Sequence, residues 1–258
     1  MGNNVEINLH EEIKREGYLY LPEFYPKDQV DEIETSLRSK TASTISFFTQ
    51  KNKNNFIKDM GLETSFAFEK QSIKYLDNAE FFVPSISKLI TNKLLHTATK
   101  VTNCEVYLDR IEVHQKLPGV SITPPHQDNF YFGFDLSKMF GVTAYLALNN
   151  QTAEAGLIEF YPKSHKQNFK HHPSKTVGFS SGISANDLEG LQKTSIPMKP
   201  GDIIIHHCNI VHEAGINQTN KRRPNLAFRF FPCNPIYDPI IVKRYQAFSK
   251  RSVRLDAS

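Results

Sequence analysis

The sequence predicts a mainly β protein with flanking helices, its β part an antiparallel barrel or jelly roll. Three observations carry this expectation. From Glu105 onward the chain breaks into short segments rich in β-branched and aromatic residues ("EVYLDRIEVHQ", "GVTAYLALNN", "AGLIEFYP", "GDIIIHHCN", "NLAFRFFP"), separated by Gly, Pro and Asn turns. Before Glu105, apolar residues recur at three-and-four spacing, the period of an amphipathic helix. No internal repeat and no low-complexity linker divides the 258 residues. One domain over 1–258 is therefore expected, with 1–104 a mostly helical buttress, 105–235 the jelly-roll core and 236–258 a C-terminal tail.

Along the chain, "LHEEIKREG" and "KDQVDEIETSLRSK" read as two helices interrupted by "YLYLPEFYP", an apolar run closed by proline that reads as a short strand and turn. "PSISKLITNKLLHTATK" (84–100) reads as one helix with a proline start. The tail segment "VKRYQAFSKRSVR" reads as a solvated amphipathic end.

Composition narrows the class. With 39% hydrophobic and 22% charged residues the chain is an ordinary globular sequence, and its net charge of +4 is dispersed among acids. A nucleic-acid partner is not expected. Three cysteines without CxxC spacing support neither a disulfide framework nor a zinc ribbon and suit a reducing compartment. The polar start "MGNNVEINLHEE", with Glu6 where a myristoylation signal wants Ser or Thr, and the lack of a long apolar run predict a cytoplasmic protein with no membrane partner. Whether it is a monomer or a homodimer is left open.

The chemistry concentrates in "ITPPHQDNFYF". If this stretch is an extended strand, His126 and Asp128 point to one face, because side chains alternate with period two. Two imidazoles and one carboxylate on one face of a metal leave open positions, the arrangement of non-haem Fe(II) oxygenases. "GDIIIHHCNIVHEAGIN" offers His206, His207 and His212 as the further ligand, with His207 read as a packed histidine on a strand through Ile203 and Ile205. His165, His171 and His172 read as surface residues of a polar loop. By period two, Arg223, Asn225, Ala227 and Arg229 share one strand face. An arginine there suits a carboxylate, whose two oxygens match its planar fork. Arg223 follows His212 by eleven residues.

Over residues 10 to 232 the sequence resembles the phytanoyl-CoA dioxygenase-like branch of the Fe(II)/2-oxoglutarate oxygenases. "EIKREGYLYLPEFYPKDQVDEIETSL" is similar to the family's opening helix, strand and helix, and "PHQDNFYF" to its HxD segment. "VTAYLALNNQTAEAGLIEFYPKSHK" and "GDIIIHHCNIVHEAGINQTNKRR" are similar to its later segments. The resemblance implies a double-stranded β-helix, the cupin-like jelly roll. It makes His126, Asp128 and His212 the iron ligands and Arg223 the anchor of 2-oxoglutarate, with Tyr145, Lys116 and Thr143 beside that cosubstrate. Ala214 departs from a common serine, so one cosubstrate bond is either missing or supplied by Tyr145 or Thr143.

The activity implied is O₂-dependent hydroxylation of a small-molecule substrate, with 2-oxoglutarate converted to succinate and CO₂. Asp128 favours hydroxylation, since similar halogenases carry a small residue at that position. Phe130 and Tyr131 are candidates for the substrate mouth. Arg229 is a candidate for the cosubstrate, for an anionic substrate or for a structural ion pair. The loops expected to set specificity are 41–83 and 166–195. Two rival functions remain: a nucleic-acid demethylase, because "RPNLAFR" resembles the strand of the alkylated-DNA repair oxygenases, and a non-catalytic or zinc-binding barrel.

Overall fold

The computed structural model describes residues 8–50, 66–69, 72–119, 122–174, 176 and 179–255. The strands are β1 (Tyr18–Leu21), β2 (Phe66–Glu69), β3 (Ser72–Leu76), β4 (Val106–Lys116), β5 (Thr123–His126), β6 (Val142–Ala147), β7 (Ile158–Phe160), β8 (His171–Pro173), β9 (Ser181–Ile183), β10 (Thr194–Ser195), β11 (Ile203–His207), β12 (His212–Ala214) and β13 (Arg223–Pro232). They form a seven-stranded sheet, β1-β11-β6-β13-β4-β3-β2, and a four-stranded sheet, β10-β7-β12-β5, with β8 and β9 pairing separately. Every pairing is antiparallel. Two facing antiparallel sheets make the jelly roll.

The helices are α1 (Leu9–Glu16), α2 (Lys27–Gln50), α3 (Ala79–Phe82), α4 (Asn92–Thr102), α5 (Asn129–Phe132) and α6 (Pro239–Leu255). Among the described residues no helix is long and apolar enough to cross a membrane. Helix α1 starts on Asn8, whose side chain accepts from the His10 and Glu11 amides, and stops at Gly17, held at φ 90°. A side chain at Gly17 would also meet the His165 ring, with Nδ1 at 2.6 Å.

The large sheet separates two environments by strict alternation. Leu226, Phe228 and Phe230 of β13 and Ile203 and Ile205 of β11 pack with Ile13, Ile33, Leu37, Leu94 and Val101 of the helices. The alternate residues face the second sheet, where Tyr145, Ile158, Phe160 and Ile204 form a smaller cluster. All ten residues of β13 are buried, since both of its faces are covered. Fully burying one such Ile, Leu or Phe is worth roughly 1.5–3 kcal/mol, so the helix layer holds the sheet in place.

Several sequence expectations are corrected. The described part of the first 104 residues is mostly helical with the short strand expected at "YLYL", but it adds more than a buttress: β1 pairs with β11 and β3 with β4, so this segment extends the large sheet at both edges. The helix expected over 84–100 is a 3-10 segment, Pro84–Leu89, followed by α4. The break falls at Thr91, which is extended and whose hydroxyl accepts from the Leu94 amide, starting a new helix. The tail is not merely a solvated end. As α6 it docks through Tyr245, whose ring lies 5.9 Å from Phe130 and 5.7 Å from Tyr131. Of the specificity loops expected, 51–65, 70–71, 175 and 177–178 lie outside the described residues.

Candidate metal centre

Strands β5 and β12 place two imidazoles face to face. His212 and His126 are direct partners in the ladder, with ring centroids 4.2 Å apart. Strand β5, "TPPH", tolerates two prolines because it is the edge of its sheet. Asp128 joins them by a route the sequence did not suggest. The strand ends at His126, and Asp128 is helical (φ −59°, ψ −33°) immediately ahead of α5. It is a strand-to-helix turn, and not strand alternation, that brings the carboxylate back beside His126. Gln127 clamps this turn: its amide donates to the Asn209 carbonyl at 2.6 Å and the Gln167 carbonyl at 2.8 Å, and its oxygen accepts from the Phe169 amide at 2.9 Å.

Asp128 Oδ1 lies 3.5 Å from His126 Nε2 and 3.9 Å from His212 Nε2. One ligand atom from each of the three buried residues lies within 4.8 Å of the others. His126 Nδ1 is 2.8 Å from the Pro124 carbonyl and His212 Nδ1 is 3.1 Å from the Ile210 carbonyl. A carbonyl only accepts, so each Nδ1 carries the proton and each Nε2 offers its lone pair to the centre. Burial drives the His212 pKa well below that of a free imidazole and keeps the ring neutral. Burial opposes charge on Asp128 too, but the Arg229 guanidinium and the two histidines hold its pKa well below the usual carboxylate range. Two neutral imidazoles and one carboxylate are the donor set a divalent iron takes.

A cavity partly open to solvent extends from His126 and His212 to Arg223, Tyr145 and Lys116. Arg223 NH1 donates to the Tyr145 hydroxyl at 2.5 Å and Gln151 Oε1 at 2.9 Å, and Tyr145 donates onward to Asn225 Oδ1 at 2.6 Å. Three buried donors in this cluster, Arg223 Nε, Gln151 Nε2 and Asn225 Nδ2, have no partner. An unmatched buried donor costs about 1–3 kcal/mol, so such a cluster suits an anionic acceptor. Lys116, opposite Arg223 in the β4–β13 ladder, donates to the Ala214 carbonyl at 2.9 Å.

The remaining candidates separate. Thr143 lines the cavity, but its hydroxyl accepts from Arg229 NH1 at 2.8 Å and lies 3.4 Å from Asp128 Oδ2. Arg229 is engaged in full: NH1 donates to Asp128 Oδ2, and Nε and NH2 donate to Glu112 Oε2 at 3.0 and 2.8 Å. Tyr131 lines the mouth beside Asp128. Phe130 instead stacks on His171, centroids 4.0 Å apart, and lines a different recess with Phe169 and Arg244.

Alternation on β11 turns His206 into the metal cavity and His207 to the helix side, where it stacks on Phe140 at 4.3 Å. Burial pushes the His206 pKa down to about 4. The surface assignment of the loop histidines is corrected. His165 is buried under the Lys14 carbonyl, and His171 lies beneath Phe130 with its pKa pushed down to about 3 by burial, while His172 is half-buried.

Sequence reasoning missed Glu112, His114, Lys74 and Tyr245. The first two carried a usable signal: Arg110, Glu112, His114 and Lys116 alternate along one β-rich segment, a polar face that an ordinary core strand lacks.

Known proteins align with this arrangement. The chain is 22% identical over 173 residues to the dioxygenase lolE1 of Epichloe uncinata, covering 62% of this chain and 64% of that protein. It is 24% identical over 241 residues to the phytanoyl-CoA dioxygenase of Arabidopsis thaliana, covering 81% and 82%. EctD from S. alaskensis superposes with a TM-score of 0.69 at 17% identity, over 92% of this chain and 81% of EctD. The family model described as phytanoyl-CoA dioxygenase (PhyH) matches residues 13–225, so the chain belongs to the phytanoyl-CoA dioxygenase family.

Proposed function

We propose that the protein is an iron(II)- and 2-oxoglutarate-dependent dioxygenase that hydroxylates a C–H bond of a small-molecule metabolite, releasing succinate and CO₂. One observation carries the reading: His126 and His212, whose donor atoms converge with that of Asp128, line one cavity with Arg223, and the polar cluster around Arg223 holds unmatched buried donors. A plain metal-binding barrel gives that cluster no purpose. Family membership supports the same reading, and EctD has been solved with bound Fe and with 2-oxoglutarate and 5-hydroxyectoine.

His126, Asp128 and His212 would hold the iron, which when bound supplies the activation of O₂. Arg223 would receive a carboxylate of 2-oxoglutarate on its guanidinium, whose orientation Tyr145 fixes. Lys116 adds positive charge on the facing strand, and Ile158 and Ala227 give the cavity an apolar wall that limits water. Arg229 and Thr143 hold Asp128 Oδ2, leaving Oδ1 toward the imidazoles. A cytoplasmic setting belongs to this reading and suits the three free cysteines.

The experiment is succinate release from 2-oxoglutarate under air with added Fe(II), with and without candidate metabolites. Release that is Fe(II)-dependent and lost in His126→Ala supports the reading. Iron bound at the three residues without any 2-oxoglutarate turnover or binding overturns it in favour of a metal-binding barrel.

A further inference from the structure

Beside Asp128 and His126 the cavity opens into a second recess, and its lining indicates what kind of molecule enters. Tyr75 from β3, Tyr131 from α5, Phe179 and Tyr245 from α6 supply ring walls. Asp77, Glu112, Arg110 and Arg229 supply the charge.

The two guanidiniums are held by the protein to different degrees. Arg229 serves Asp128, Thr143 and Glu112. Arg110 Nε donates to Asp109 Oδ2 at 2.6 Å, and its NH1 lies 3.6 Å from Asp77 Oδ2. Leaving Asp128 to the metal, Asp77 and Glu112 balance these two cations within the recess, and Asp109 adds a third carboxylate to Arg110 from outside its lining.

Glu112 is used unevenly. Its Oε2 takes both Arg229 bonds and pairs with His114 Nε2 at 2.9 Å. Its Oε1 takes none of these bonds, and Glu112 lines the recess. Burial opposes ionisation of Glu112, but Arg229 and His114 bring its pKa down to about 2, so it is a carboxylate at neutral pH.

We propose that the substrate is a small cationic metabolite whose protonated nitrogen docks on Glu112 Oε1 among the rings of Tyr75, Tyr131, Phe179 and Tyr245. The proposal rests on the oxygenase reading above, which makes the Asp128 side of the recess the reacting end. An anionic substrate would gain Arg229 only by breaking its pair with Asp128, and would share Arg110 with Asp77 and Asp109. A neutral one without a donor would leave Glu112 Oε1 unmatched. Ring faces add to the selection, because their quadrupoles attract a cation. Tyr245 gives the C-terminal helix a part in this selection, since its ring closes the recess against Tyr131.

The test uses the full chain with Mn(II) and 2-oxoglutarate and three size-matched probes, n-butylammonium, 1-butanol and butyrate, read by Mn(II)-induced broadening of their proton resonances. Protein carrying His126→Ala serves as the blank. Broadening of butylammonium about tenfold above butyrate and butanol is expected. It should fall several-fold in Glu112→Gln and in Tyr245→Ala and persist in Tyr245→Phe, which keeps the ring. Equal broadening of butyrate, or no broadening of butylammonium, overturns the proposal while the oxygenase reading stands. Failure of the wild-type chain to retain Mn(II) or 2-oxoglutarate overturns that reading and the proposal with it.

Discussion

Arg229 donates through NH1 to Asp128 Oδ2, while the other edge of the same guanidinium grips Glu112. The carboxylate that faces the two imidazoles is therefore aimed from behind by a buried cation, itself balanced by a second carboxylate. Removing such an orienting partner typically costs a ligand set about 10–100-fold in metal affinity. Arg229→Ala should show that loss in an anaerobic Fe(II) or Mn(II) titration. Arg229→Lys should recover only part of it, because an ammonium cannot span both carboxylates. Unchanged metal affinity in Arg229→Ala would remove Arg229 from the centre.

Glu112 predicts an acid-side effect on stability. Its pKa is lowered from 4.5 to about 2 in the folded chain, against the burial that opposes its charge, chiefly by Arg229. A depressed carboxylate stabilises the fold above its unfolded pKa, and that contribution disappears as pH falls through the folded value. Wild type should lose stability relative to Glu112→Gln between about pH 4.5 and pH 2, and the two should run parallel above pH 6. Urea unfolding at a series of pH values checks this; parallel curves throughout would contradict it.

Arg223 separates an oxygenase from a bare metal site. Hydrogen bonds to charged groups are worth roughly 1.5–3 kcal/mol each, so Arg223→Ala should weaken 2-oxoglutarate by about ten- to a hundredfold or more. Metal affinity should hardly move, because a guanidinium donates and does not ligate. Titration of 2-oxoglutarate into the Mn(II)-loaded variants Arg223→Ala and Arg229→Ala checks the assignment. A larger cosubstrate loss in Arg229→Ala would mean that the anchor is the other arginine.

The histidines divide by sheet face. His126→Ala, His212→Ala and Asp128→Ala should each abolish 2-oxoglutarate turnover and reduce metal retention, each removing one of the three proposed ligands. His207→Ala should keep turnover and lose about 1–3 kcal/mol of stability, since its ring packs on Phe140 and lies near His165. Metal content and thermal unfolding measured on the same preparations distinguish the two outcomes.

Much of this centre was legible in the linear chain. Period-two alternation put Arg223, Asn225, Ala227 and Arg229 on one strand face, and Arg223, Ala227 and Arg229 do line one cavity; His207, expected as a packed histidine, stacks on Phe140. Motif order along the chain pointed to the family. Side-chain direction in a strand is a local property of the backbone, so sequence spacing determines it. What lies opposite each strand is not local. The pairing of His126 with His212, the turn that returns Asp128, the Asp128–Arg229–Glu112 chain and the docking of Tyr245 join segments up to about a hundred residues apart or more. Those partners were decided only when the two sheets closed, because the register of neighbouring strands and the packing of α6 depend on the whole core. Arg229 shows the difference most plainly: the sequence put it on the cavity face, and only the fold tied it to Asp128 and Glu112 with every donor group of its guanidinium engaged.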